Sequence, residues 1–162
     1  MSQVTVREAR ASDAEEVAAL WNTVIDHTAI TFTTERKTAA KLAQDIAHRG
    51  PLFLIAESDG HVRGFATAFQ FRGGPGYSYT FEHSIQLAPE ARGLGAGKAL
   101  MATLEDNLRR HGAHSLFAGV SGENPSGVSF HKAIGFHEVA ILPEVGFKFG
   151  RWMDLVLMQK IL

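Results

Sequence analysis

Apolar and polar positions alternate at Val4 and Val6, predicting a short first strand. Ser12-Asp13-Ala14-Glu15 reads as a capping box, with Ser12 as N-cap and Glu15 reaching back. Val17, Leu20, Trp21, Val24 and Ile25 follow at helical spacing, so a helix runs to about His27. Thr28 to Glu35 is β-branched without a helical period and is expected as an ordered loop. A weaker helical pattern carries Leu42 and Ile46 and ends near Gly50-Pro51. Leu52–Glu57 and Val62–Phe71 read as hairpin partners across Ser58-Asp59-Gly60-His61. Arg72 to Gly76 is a glycine-rich loop, and Tyr77–Leu87 a strand closed by Pro89. A glycine cluster precedes a helix from about Gly95 to His111, with Leu100, Leu104 and Leu108 on one stripe and Gly112 as its cap. Ser115–Val120 is a strand; Asn124-Pro125 opens a short helix closing at Gly135. Phe136–Leu142 is a strand, then comes a loop holding Gly146 and Gly150, and a last strand spans about Leu155–Ile161.

The element order β-α-α-β-β-β-α-β-α-β-β places antiparallel hairpins before strand–helix–strand crossovers. This predicts an α/β (α+β) domain, a mixed sheet with helices on both faces. Composition narrows the picture. The chain has 162 residues, 45% hydrophobic, which suits one domain spanning 1–162. A formal charge of −1 gives no basic footprint for nucleic acid or anionic lipid. The sequence has no cysteine, which excludes disulfides, a thiol nucleophile and cysteine-ligated metal sites, and fits a reducing compartment. MSQVTVREAR has no apolar run of the signal-peptide kind, and no stretch reaches the roughly 18 apolar residues of a membrane helix. A cytoplasmic protein with no membrane partner is expected.

Chemistry concentrates at Arg92-Gly93-Leu94-Gly95-Ala96-Gly97-Lys98, between a strand and a strong helix. Glycines there let backbone approach a ligand, and the helix amino terminus presents free N–H groups to an anion such as pyrophosphate. A P-loop does not fit, because Ala99 follows Lys98 and Arg92 stands where its first glycine belongs. A Rossmann fingerprint fails at Lys98, where its third glycine is needed.

The spacing Arg92-x-x-Gly95-x-Gly97 resembles the coenzyme-A pyrophosphate loop of the GNAT acyltransferases. A second segment agrees: Asn124, then His131, then Ala133-Ile134-Gly135-Phe136. The chain is identified as resembling the GNAT family, and within it the phosphinothricin and methionine-sulfoximine N-acetyltransferases. That branch is matched by Thr28-Ala29-Ile30-Thr31-Phe32-Thr33-Thr34-Glu35, by Glu82-His83-Ser84-Ile85, and by the tail Gly146-Phe147-Lys148-Phe149-Gly150-Arg151-Trp152-Met153-Asp154-Leu155. Departures fall at Phe71, where a Trp is usual, at the loop Gly73-Gly74-Pro75-Gly76, and at Gln86.

The resemblance implies a twisted central sheet of about seven strands with about four helices. It implies acetyl-CoA as co-substrate, no metal, and as small-molecule acceptor the α-amine of a small amino acid or amino acid analogue, with another metabolic amine or a protein N-terminus as the alternative. It also implies a homodimer pairing through carboxy-terminal strands, for which the apolar Leu155–Leu162 is suited. The coenzyme would be held by Ile85, Gln86, Leu87, Arg92, Gly93, Leu94, Gly95, Ala96, Gly97, Lys98, Asn124 and His131. The chemistry needs a base for the ammonium and a proton for the leaving thiolate. Glu82 is the candidate base and His131 the candidate acid, with the reverse assignment open. Backbone N–H groups of Ile85 to Leu87 would hold the oxyanion. Phe32, Arg72, Tyr77, Glu82 and Lys148 are expected at the acceptor, Arg72 and Lys148 as counter-charges, with Tyr79 as a further wall. Trp152 is expected in the core or at a subunit contact.

Two other classes compete. A metal hydrolase is disfavoured because the eight histidines are scattered and form no His-Glu-x-x-His pattern. A coenzyme-A-binding sensor without turnover is disfavoured by the retention of Glu82 and His131.

Overall fold

The computed structural model describes residues 3–162, so the start of the amino-terminal stretch read for a signal lies outside the described residues. Its elements are β1 (Thr5–Glu8), α1 (Ala14–His27), α2 (Ala39–Arg49), β2 (Phe53–Ser58), β3 (His61–Gln70), β4 (Thr80–Leu87), α3 (Ala96–Arg110), β5 (Ser115–Ser121), α4 (Pro125–Ala133), β6 (His137–Lys148) and β7 (Arg151–Ile161). The strands form one seven-stranded sheet in the order β1-β2-β3-β4-β5-β7-β6. Only β4 and β5 pair in parallel, since α3 carries the chain back between them.

β2 shows why the sequence folds this way. Phe53-Leu54-Ile55-Ala56 is a continuous apolar run because both faces are covered. Phe53 and Ile55 pack with Val17, Leu42, Ile46 and Phe65 beneath α1 and α2. Leu54 and Ala56 face the opposite core, with Leu100, Leu104 and Leu108 of α3 and with Leu116, Phe136 and Met158.

Three expectations are corrected. The Ser12 capping box does not form. Asp13 instead accepts from the Arg10 backbone at 2.7 Å and from Arg7, in a 3-10 turn that starts α1 at Ala14. Arg7 also bonds Glu57 on β2, so a tertiary ion pair outcompetes the local cap. The strand expected from Tyr77 begins at Thr80, since Pro75–Tyr77 forms a 3-10 turn. The expected loop around Gly146 and Gly150 is a hairpin: β6 runs to Lys148, turns at Phe149-Gly150, and returns as β7. Position 146, within β6, is glycine because the Phe32 ring lies 2.4 Å from where a Cβ would stand.

Candidate active site

The site is built on a break in the sheet. β4 and β5 pair only from Thr80↔Ser115 to His83↔Ala118. Beyond that point β4 continues to Leu87 on β3, while β5 continues to Ser121 on β7. Alternate backbone groups of Ser84–Leu87 therefore face a gap instead of a neighbouring strand. The two strands splay apart here.

Two cavities meet in this gap. The first, about 310 Å³, is lined by Trp21, Ile30–Thr33 and Lys37 from the amino-terminal side, Glu82–Gln86 of β4, Ala118–Ser121 of β5, Asn124, His131 and Leu155. The second, about 270 Å³, is a groove between the end of β4, α3 and α4; it includes Leu87, Arg92, Gly97, Ser126, Gly127 and Phe130. Ile30, Ile85, Gln86, Asn124 and His131 border both.

The groove has the features an elongated anionic thioester needs. Gly93 and Gly95 take φ of +76° and +81°, a left-handed path that delivers the chain to the α3 amino terminus. Arg92 borders the groove a few residues before that terminus, so that a cation and a helix dipole serve the same anion. Asn124 caps α4 by accepting from Gly127 N–H at 3.1 Å. Gly93, Leu94 and Gly95 are exposed in the loop, Ala96 is buried under it, and the Lys98 side chain lies in a separate depression with Glu105 and Lys160.

Glu82 is half-buried in the first cavity, and burial alone pushes its carboxyl above the usual range, with no neighbouring charge contributing. His131 is buried beside it. Its Nδ1–H donates to Gly127 O at 2.8 Å, so its Nε2 accepts from His83 Nε2–H across 3.0 Å. Burial lowers the His131 pKa, and burial together with the neighbouring His131 pushes His83 down to about 3. Both rings are neutral at ordinary pH, and both His131 nitrogens already have protein partners. An acid of ordinary pKa, as expected at His131, does not fit these surroundings.

The acceptor-side expectations divide. Phe32 lines the first cavity and is seated on Gly146. Arg72 lies outside the cavity on an exposed loop, its guanidinium 5.6 Å from the Tyr77 ring centre, and Tyr77 and Tyr79 are themselves exposed. Lys148 also lies outside the cavity lining. It is buried, with Nζ donating to Thr28 O at 2.7 Å and Thr31 O at 2.9 Å, so it fastens the loop that roofs the cavity. Trp152 is 61% exposed and so not in the core. The sequence reading missed Lys37, His83 and Trp21. His83 stood in the quoted Glu-His-Ser string, and Trp21 was assigned only to a helix face; Lys37 carried no signal. No group of three or more His, Cys, Asp or Glu able to hold a metal occurs among the described residues.

Residues 17–136 match the model of the acetyltransferase (GNAT) family, and the chain belongs to that family. It is 35% identical over 161 residues to an L-methionine sulfoximine/L-methionine sulfone acetyltransferase of Salmonella typhimurium, covering 96% of this chain and 93% of the relative. An acetyltransferase structure from Salmonella typhimurium, solved with its cofactor acetyl-CoA, superposes with a TM-score of 0.93 at 34% identity over 99% of this chain and 95% of the other. A phosphinothricin acetyltransferase of Sinorhizobium meliloti, in complex with acetyl-CoA, gives 0.92 at 31% identity over 99% and 89%. The mixed sheet and its flanking helices are thus the GNAT fold, and the protein is an acetyltransferase of that family.

Proposed function

We propose that the protein, a single domain over residues 1–162, transfers acetyl from acetyl-CoA to the α-amine of a small amino acid or amino acid analogue. Acceptors of the methionine sulfoximine or phosphinothricin kind are the substrates named for its relatives. The observation that carries this reading is the meeting of two cavities at the sheet break, with Glu82 lining one and Arg92 bordering the other, just before α3. Acetyl-CoA would lie along the second with its thioester at the break.

Glu82 takes a proton from the acceptor ammonium, directly or through water, and the free amine attacks the thioester carbonyl carbon. Negative charge develops on the carbonyl oxygen, where free N–H groups of Ile85–Leu87 receive it. As the carbon–sulfur bond breaks, the thiolate recovers a proton from the Glu82 carboxyl and the attacking nitrogen releases its surplus proton to water, leaving the neutral amide and the free thiol. Direct transfer follows because the chain has no cysteine to carry an acyl intermediate. His131 closes the junction and handles a proton only by exchanging its bond to His83.

A homodimer belongs to the same reading. Val139, Ile141, Val145, Phe147, Phe149 and Trp152 are exposed along the β6–β7 hairpin, an apolar surface suited to a second copy. So does a detoxifying role in the cytoplasm, which the acceptor class supports.

The test is thiol release from acetyl-CoA across methionine sulfoximine, phosphinothricin, ordinary amino acids, a polyamine and a short peptide. Turnover on the amino acids and analogues is expected. Turnover confined to polyamine or peptide overturns the acceptor class, and tight acetyl-CoA binding without turnover of any acceptor overturns the enzyme reading in favour of a sensor.

A further inference from the structure

The two cations expected to meet the acceptor are occupied elsewhere, yet the cavity still holds one. Of the ionisable side chains lining it, Glu82 is the single carboxylate and Lys37 the single Lys or Arg, beside the neutral His83 and His131.

Lys37 is placed with care. Asn22 of α1, itself buried, clamps its backbone at two points: Lys37 N–H donates to Asn22 Oδ1 at 2.7 Å, and Asn22 Nδ2 donates to Lys37 O at 2.9 Å. The ammonium stands over the Trp21 ring, 4.4 Å from its centre. Trp21 is fixed in turn against the buried Phe65 ring, with centroids 4.6 Å apart. An aromatic face holds a cation without neutralising it. No carboxylate among the described residues forms an ion pair with Lys37. Lys37 and Glu82 both line the cavity and form no ion pair with each other.

A cavity with a carboxylate at one place and an unpaired ammonium at another is complementary to a zwitterion. We infer that Lys37 is the anchor for the acceptor's α-carboxylate, and that with Glu82 it selects α-amino acids over amines that lack a carboxylate. This assignment rests on the amino acid acceptor proposed above and moves the anchoring role from Arg72 and Lys148 to a residue of the 28–38 segment. With the carboxylate on Lys37, the ammonium is directed into the part of the cavity that holds Glu82, and its free base faces the break.

The experiment compares Lys37→Met, Lys37→Arg and wild type on methionine sulfoximine and on one ordinary amino acid, each alongside its carboxamide counterpart. Wild type prefers acid to amide. Lys37→Met raises the acceptor KM for the acid by about 10–100-fold, the range of a charged hydrogen bond. The same variant leaves the amide and the KM for acetyl-CoA within about twofold, so the acid-over-amide preference collapses, and Lys37→Arg restores most of it. Equal losses on acid and amide, or a preserved preference in Lys37→Met, overturn the inference while the proposed function stands. Failure of wild type to acetylate any amino acid overturns both. A Lys37→Met protein that has lost its cooperative melt is replaced by Lys37→Glu, for which the same collapse is expected and a kept preference is again fatal.

Discussion

The two cavities that meet at the sheet break are made in different ways. The proposed coenzyme groove is largely backbone: left-handed glycines at 93 and 95, the amino terminus of α3, and the Asn124 cap, all fixed within short spans of sequence. The proposed acceptor cavity is assembled from side chains that tertiary contacts bring together. Lys148 reaches back about 120 residues to the carbonyls of Thr28 and Thr31, and Phe32 rests on Gly146. Backbone sites tolerate change in the rest of the molecule, whereas an assembled site depends on each distant strut. One binding mode can thus persist on the coenzyme side while acceptor preference drifts on the other.

The sharpest way to break this contrast is at Glu82. Glu82→Gln should lower kcat/KM by about 10²–10³-fold, with the dissociation constant of acetyl-CoA unchanged by calorimetry. In the wild type, activity requires the carboxylate, and burial raises the pKa at which that form is lost. The kcat/KM profile should therefore fall as pH drops through a value above the ordinary carboxylate range. That limb should vanish in Glu82→Gln. Loss of acetyl-CoA binding in this variant would show that the two cavities are not separable.

Next in size is Lys148→Met. It removes two charge-assisted bonds from the loop roofing the acceptor cavity, and the acceptor KM should rise by about 10-fold. The KM for acetyl-CoA should hold steady, with the change read from initial rates at saturating acetyl-CoA. An equal rise in both would mean that the loop serves the groove too.

The smallest effect is expected at Asn124→Ala. Losing the α4 cap should cost ~1 kcal/mol of stability by denaturant titration. Since Asn124 borders both cavities, a modest rise in the KM of acetyl-CoA should accompany it.

The same division explains what the sequence made legible. The groove could be read because Arg92-x-x-Gly95-x-Gly97 and Asn124-Pro125 are local patterns whose backbone consequences follow from a few adjacent residues. Strand β2 and helix α3 were legible for a similar reason, one as an unbroken apolar run and the other as a leucine stripe. Lys148 and Arg72 were placed at the acceptor by the branch resemblance and by their charge. Charge does not reveal whether an ammonium will meet a ligand or two carbonyls more than a hundred residues away. The Ser12 cap failed likewise, because Arg7 and Glu57 form part of a network that no local window contains. Lys37 stayed invisible because its role depends on Asn22 and Trp21 of another element.

Because the β4–β5 ladder stops at four pairs, the seven strands act as two smaller sheets hinged at Thr80–His83 and Ser115–Ala118. Ser84–Leu87 is central by position in the strand order, yet on its gap side it has the unmet hydrogen-bonding capacity of a border strand. The amide groups of a bound coenzyme arm would pair there as a short surrogate strand. Its arrival should then register in the amide exchange of the sheet's middle rather than at its rim.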